Sequence, residues 1–178
     1  MRRLLYVLAL GALGGGGVAL ADSGKLDQTF VDKAAMGGLA EVKLSKLAMD
    51  KGQSSEVKQF ARRMVEDHTK ANVELKQIAD KKNLVVPTRL DDQHEKAYDQ
   101  LAKLDGANFD KEYMRVMATD HDEATKLFKE QSQRGQDPEL KSFAMKTLPT
   151  IEKHDDMAHM DQNQMGAQPV TQPGLPRK

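Results

Sequence analysis

Apolar residues recur at spacings of three and four along most of the chain, which is the periodicity of amphipathic helices and not of strands. A first segment, 27–51, carries the stripe Phe30, Ala34, Gly37, Leu44 and Ala48 and stops at Gly52. Ser54 or Ser55 is placed to cap a second segment that reaches Lys82 and presents Val57, Phe60, Ala61, Met64, Ala71, Leu75 and Ile78. Val85, Val86 and Pro87 form a connector, followed by a short helix over 91–104 with Ala97, Leu101 and Leu104 inward, which Gly106 breaks. A long helix over 108–133 then presents Tyr113, Met117, Ala124 and Phe128.

The last helix opens at Asp137, with Pro138 in the first position, where a missing amide costs little. It presents Leu140, Phe143, Ala144, Leu148, Ile151 and Ala158, with a kink expected at Pro149. No segment alternates as a strand would, and no internal repeat is found. The pattern predicts an all-α fold, an up-down four-helix bundle with one extra short helix, as one domain over 25–162.

Both ends of the chain read differently. Arg2 and Arg3 precede a short apolar run, Leu4 to Leu13, and Ala19-Leu20-Ala21 has the small-x-small form of a signal-peptidase site. Residues 1–21 are therefore expected to be a signal peptide. The run is too short for a stable transmembrane helix, so no integral membrane span is expected after cleavage. The mature chain would begin near Asp22, in the periplasm or secreted. From residue 163 to 178 the chain is rich in Gln, Pro and Gly without periodicity, and a disordered tail is expected.

Composition narrows the chemistry. The 178 residues include 27 basic and 27 acidic ones; without the signal peptide the count is 25 against 27, a net charge of −2. That balance lacks the basic stripe a nucleic-acid partner requires. The absence of Cys excludes disulfides, a thiolate nucleophile, zinc fingers and Cys-ligated iron–sulfur clusters. No Trp and only three Tyr argue against a carbohydrate or aromatic-cage site. Ten Met, with Ala and Gly on the stripes, imply close helix approach and soft gap-filling.

Four polar residues interrupt the apolar stripes: Glu41 among Gly37 and Leu44, His68 between Met64 and Ala71, His121 between Met117 and Ala124, and His154 after Ile151. A buried carboxylate or imidazole is costly without a partner, so these residues are expected to partner one another or share a cation. If the turns near Gly52 and Gln136 share one end of the bundle, the three His residues fall within roughly 5 Å of one level, and Glu41 falls about 8 Å off it. Asp67 and Asp120 each precede a His. Consecutive helical residues point about 100° apart, so each Asp is expected to reach a His on a neighbouring helix or to be solvated. His94 is expected to be exposed, and His159 to sit at a fraying helix end.

The segments FVDKAAMGGLAEVKLSKLA, VKQFARRMVEDHTKANVEL, FDKEYMRVMATDHDEATKLF and LKSFAMKTLPTIEKHDDMA resemble the bacterial family called domain of unknown function 4142. The paired Asp-His elements and the Leu148-Pro149-x-x-x-x-His154 element carry the resemblance, which covers Lys25 to Met160. It implies an exported, ferritin-like four-helix bundle, often labelled an outer membrane protein, with Glu41, Asp67, His68, Asp120, His121 and His154 at the matching positions, and no established reaction. Nothing after residue 21 alternates like barrel strands. Ferritin-like di-iron sites use Glu-x-x-His, and no such motif occurs: Val65, Ala118 and Ile151 stand three before the His residues. A His-rich, carboxylate-poor set favours one divalent transition metal, Zn or Cu, over two irons.

Three functional classes follow: a metal-binding bundle serving metal handling or envelope stress; a structural or partner-binding bundle with a metal-free polar network; and a metal-dependent oxidase-like enzyme. The last lacks any Ser/His/Asp spacing or phosphate loop and depends on an open coordination position.

Overall fold

The computed structural model describes the backbone of residues 17–167 and the side chains of 25–161. Most of the expected signal peptide and residues 168–178 of the expected tail lie outside the described residues. Five helices follow in order: α1 (Gly17–Lys51), α2 (Ser55–Lys81), α3 (Asp92–Ala102), α4 (Gly106–Arg134) and α5 (Pro138–Ala167), and no strand occurs among the described residues.

The helix starts follow from local chemistry. Ser54 Oγ accepts from the Val57 amide, Asp91 Oδ1 from the His94 amide, and Asp137 Oδ1 from the amides of Glu139 and Leu140. Each uses one carboxylate or hydroxyl to satisfy orphan donors of the first turn. Gly106, read as a breaker, is instead the first residue of α4, at φ +59°, a conformation that disfavours a side chain. α1 extends back to Gly17, and α5 runs through the exposed Pro149 and on to Ala167, past the end expected at 162. Asn163, Gln164 and Met165 tolerate helix, and the strong breaker, Pro169, comes later.

Contacts at the two ends define the topology. At one end Asp110 accepts from the amides of Gln53 and Ser54, and Lys51 pairs with Asp105. At the other, Asp27 accepts from Gln131 Nε2 and the Asp137 amide, and Lys82 pairs with Asp137. The α4–α5 turn therefore lies beside Asp27 of α1, opposite the α1–α2 turn. The connection through α3 crosses the length of the bundle to make this possible. Each long helix is antiparallel to the two it touches: α1 packs on α2 and α4, and α5 on α4 and α2. This is a four-helix bundle with one long crossover.

The core has two parts. Toward the Gly52 end, Leu44, Phe60, Met64, Leu101, Phe109, Tyr113 and Met117 form one apolar cluster, sealed by Leu101 from α3. Toward the Asp27 end, Phe30, Val31, Leu75, Ile78, Phe128, Leu140 and Phe143 form another, centred on three Phe rings with centroids 5.1–6.3 Å apart. At Gly38, where α1 faces α2, a Cβ would meet the end of the Asn72 side chain.

Candidate metal centre

Between the two apolar clusters lies a polar layer. Glu41, His68, His121 and His154, one from each long helix, are all buried there. Glu41 is 14 positions from Asp27, His68 is 14 from Lys82, and His121 is 14 from Gly135. Those three markers share one end of the bundle, so the three residues sit about 21 Å from it, at one level. His154 is 17 positions from Asp137. Its side chain leans toward the start of α5, which brings it down to that level. Glu41 is thus not displaced from the histidines. The expected offset from His68 came from counting α1 and α2 from Gly52, whereas the connection runs on to Ser54, from which Glu41 and His68 are 13 and 14 positions away.

Three of the four side chains form a chain of contacts that ends on Asp67. His68 Nδ1 is 2.7 Å from Glu41 Oε2, His68 Nε2 is 3.3 Å from His154 Nδ1, and His154 Nε2 is 3.0 Å from Asp67 Oδ2. Carboxylates only accept here, so His154 carries its proton on Nε2 and accepts from His68 through Nδ1. His68 must then donate from both nitrogens, as an imidazolium. The electrostatics agree. Burial alone would lower the His68 pKa, but the Glu41 carboxylate outweighs it and raises it. Burial would raise Glu41, but His68 and His121 outweigh it and hold the carboxyl at about 2. Burial, with the charge on His68 beside it, pushes His154 down to about 4.

His121 stands apart. Its Nδ1 donates to the Met117 carbonyl at 2.9 Å and lies 3.6 Å from Glu41 Oε1, while Nε2 is buried without any hydrogen-bond partner. Burial lowers its pKa and favours the neutral ring. The Met117 carbonyl was not anticipated from sequence, although its i−4 position on the same helix is a readable signal.

Asp67 reaches a His on a neighbouring helix. Asp120 hydrogen-bonds no imidazole among the described residues. It points about one helical step away from His121, toward the α3 side, where burial and the Glu41 charge push it up to about 7. His94, expected to be exposed, is partly buried and holds Asp91 Oδ1 through Nδ1 at 2.7 Å. His159 pairs with Asp122 and Asp155 at 3.5 and 3.4 Å on the α4–α5 seam.

The donor set suits a transition metal. One nitrogen from each of His68, His121 and His154 lies within 4.8 Å of the others. The 3.3 Å between His68 Nε2 and His154 Nδ1 matches the edge of a tetrahedral site with bonds of roughly 2.0–2.1 Å. Each ring is anchored by its other nitrogen: His68 on Glu41, His121 on Met117 O, His154 on Asp67. Such anchoring is characteristic of metal-ligating imidazoles. The unpaired His121 Nε2 costs about 1–3 kcal/mol as it stands, a cost that coordination would remove.

The family described as Domain of unknown function (DUF4142) matches residues 18–160. The chain belongs to this family. Its fold is similar to two crystal structures. One is a DUF305 fragment from Deinococcus radiodurans, with a TM-score of 0.69, 12% identity, and coverage of 78% of this chain and 96% of that one. The other is a "putative secreted protein DUF305" from Streptomyces coelicolor, with a TM-score of 0.68, 17% identity, and coverage of 80% and 94%. At these identities the likeness concerns the fold. No curated protein sequence matches the chain. Among the described residues, no helix is long and apolar enough to cross a membrane.

Proposed function

We propose that this DUF4142 protein is an exported bundle that binds one divalent transition metal, Zn or Cu, at His68, His121 and His154. Glu41 orients His68 and balances charge. The observation that carries the reading is the convergence of three imidazole nitrogens within 4.8 Å, one of them a buried His121 Nε2 without a partner. Three neutral nitrogens with one nearby carboxylate match the preferences of these metals, whereas a di-iron centre needs bridging carboxylates that this layer lacks. Export is supported by the n-region, apolar run and cleavage motif of residues 1–21 and by the name of the Streptomyces neighbour.

Metal entry requires His68 to lose to solvent the Nε2 proton that it donates to His154 Nδ1, so uptake should release protons and weaken in acid. Calorimetric titration of chelator-treated protein with Zn and Cu salts is expected to give one ion per chain, at least tenfold weaker at pH 5.5 than at pH 7.5. The His68→Ala/His121→Ala double variant should take up none. Absence of uptake by the wild-type chain would remove the reading.

A second reading is favoured by the continuous Glu41–His68–His154–Asp67 contacts, which satisfy all of these groups without an ion. In that reading the layer is a structural network. Chelator would leave the melting temperature unchanged, and added metal would not raise it.

A further inference from the structure

A cavity of about 730 Å³ lies against the polar layer on its Asp27 side. Its walls are apolar, from Leu75, Phe128, Phe143 and Ile151, and its inner end is polar, from Glu41, His68 and His154. Gly37 lies one turn before Glu41 on the same face of α1, and a Cβ placed there meets nothing within 4 Å. Glycine weakens a helix interior relative to alanine, so packing does not explain its presence. The neighbouring Gly38 differs, since a Cβ there would displace the end of the Asn72 side chain. Gly37 instead leaves the cavity open where it meets the buried ionisable groups.

The charge around this space selects its occupant. Along the mouth, Asp32, Asp91, Glu123 and Glu130 outnumber Lys33 and Lys126. Asp120 also lines the cavity, partly buried and without a hydrogen-bond partner among the described residues. Glu41 and Asp67 oppose a single imidazolium on His68, and Asp120 adds a third carboxyl group. An anion would be repelled here, and a wholly apolar ligand would leave Asp120 unpaired. Mostly apolar walls with a few converging polar groups are the usual form of a small-molecule site, and the volume fits one.

We propose that this cavity binds a small organic cation, an amine whose ring-sized apolar body fills the space beside Gly37 and whose ammonium group lies toward Glu41 and Asp120. The site needs no metal, so its test uses chelator-treated protein and stands apart from the zinc titration. Benzylamine is the probe, with benzoate and benzyl alcohol as isosteric anion and neutral controls, followed by calorimetry and ligand-detected NMR. Benzylamine should bind saturably, benzyl alcohol at least tenfold more weakly, and benzoate not at all. Gly37→Leu, which fills the space, should abolish benzylamine binding while keeping the wild-type circular dichroism spectrum. Asp120→Asn, which leaves the helix packing alone, should weaken it at least fivefold. The proposal is overturned if benzylamine does not saturate, if benzoate binds equally well, or if Asp120→Asn leaves the affinity unchanged.

Discussion

The two halves of the bundle are built from similar helices and are packed differently. Toward the Gly52 end, α3 adds a fifth element, and Phe109, Tyr113, Met114, Met117 and Leu101 are fully enclosed; the buried polar pair Ser45 Oγ and Tyr113 Oη is satisfied at 2.8 Å. Toward the Asp27 end, three Phe rings support the core, α3 contributes no side chain to it, and a cavity with the start of α3 at its rim runs up to the polar layer. The closed half supplies stability and the open half supplies access. The polar layer sits at the boundary, supported from one side and reachable from the other.

The largest test of this contrast is truncation of an aromatic residue in each half. Phe109→Ala should cost about 3–5 kcal/mol, because its neighbours are close-packed and cannot collapse into the void. Phe128→Ala borders existing empty space and should cost less, about 2–3 kcal/mol. Urea unfolding of both variants decides it; equal costs would mean that the halves do not differ in packing.

Next is the boundary itself. Glu41→Gln in metal-free protein should cost about 3 kcal/mol, since it leaves a buried His68 imidazolium without its anion. The pH dependence has a definite sign. His68 is raised, so its contribution is complete below its ordinary 6.5 and fades as pH rises through the raised value. Glu41 is depressed to about 2, so its contribution is present above its ordinary 4.5 and fades as pH falls toward 2. The gap between wild type and variant should therefore be widest between about pH 4.5 and 6.5. A constant gap from pH 4 to 9, measured by urea melts, would show that the pair is not ionised as described.

The smallest effect separates the adjacent glycines. Gly37→Ala should stabilise by up to about 1 kcal/mol, because helix propensity improves and nothing obstructs the methyl group. Gly38→Ala should bring no such gain, since Asn72 must swing away. Equal stabilisation in thermal melts would remove the distinction between an open and a crowded glycine.

Much of the fold was legible because each signal acts locally. The three- and four-residue spacing gave five helices, and Ser54, Asp91 and Asp137 cap helix starts through their own nearby amides. The inward placement of His68, His121 and His154 was legible for the same reason: each interrupts an apolar stripe. The depth of Glu41 differs from the sequence expectation because Gly52 is not the midpoint between α1 and α2; which of the other turns share an end is carried by contacts such as Asp27 with Gln131 and Asp137, more than a hundred residues apart in sequence. His94 was read as exposed from its acidic neighbours, although the crossover lays α3 against α1 and α4.

By itself the sequence determined which residues are helical, which faces turn inward and which four polar groups must find partners, because periodicity and capping depend on neighbours within a few positions. Only the tertiary structure decided that these groups meet at one level, which carboxylate anchors which ring, and that Gly37 faces open space while Gly38 does not. Those outcomes depend on the crossover and on how four rods are set against one another, and no short stretch of chain carries that.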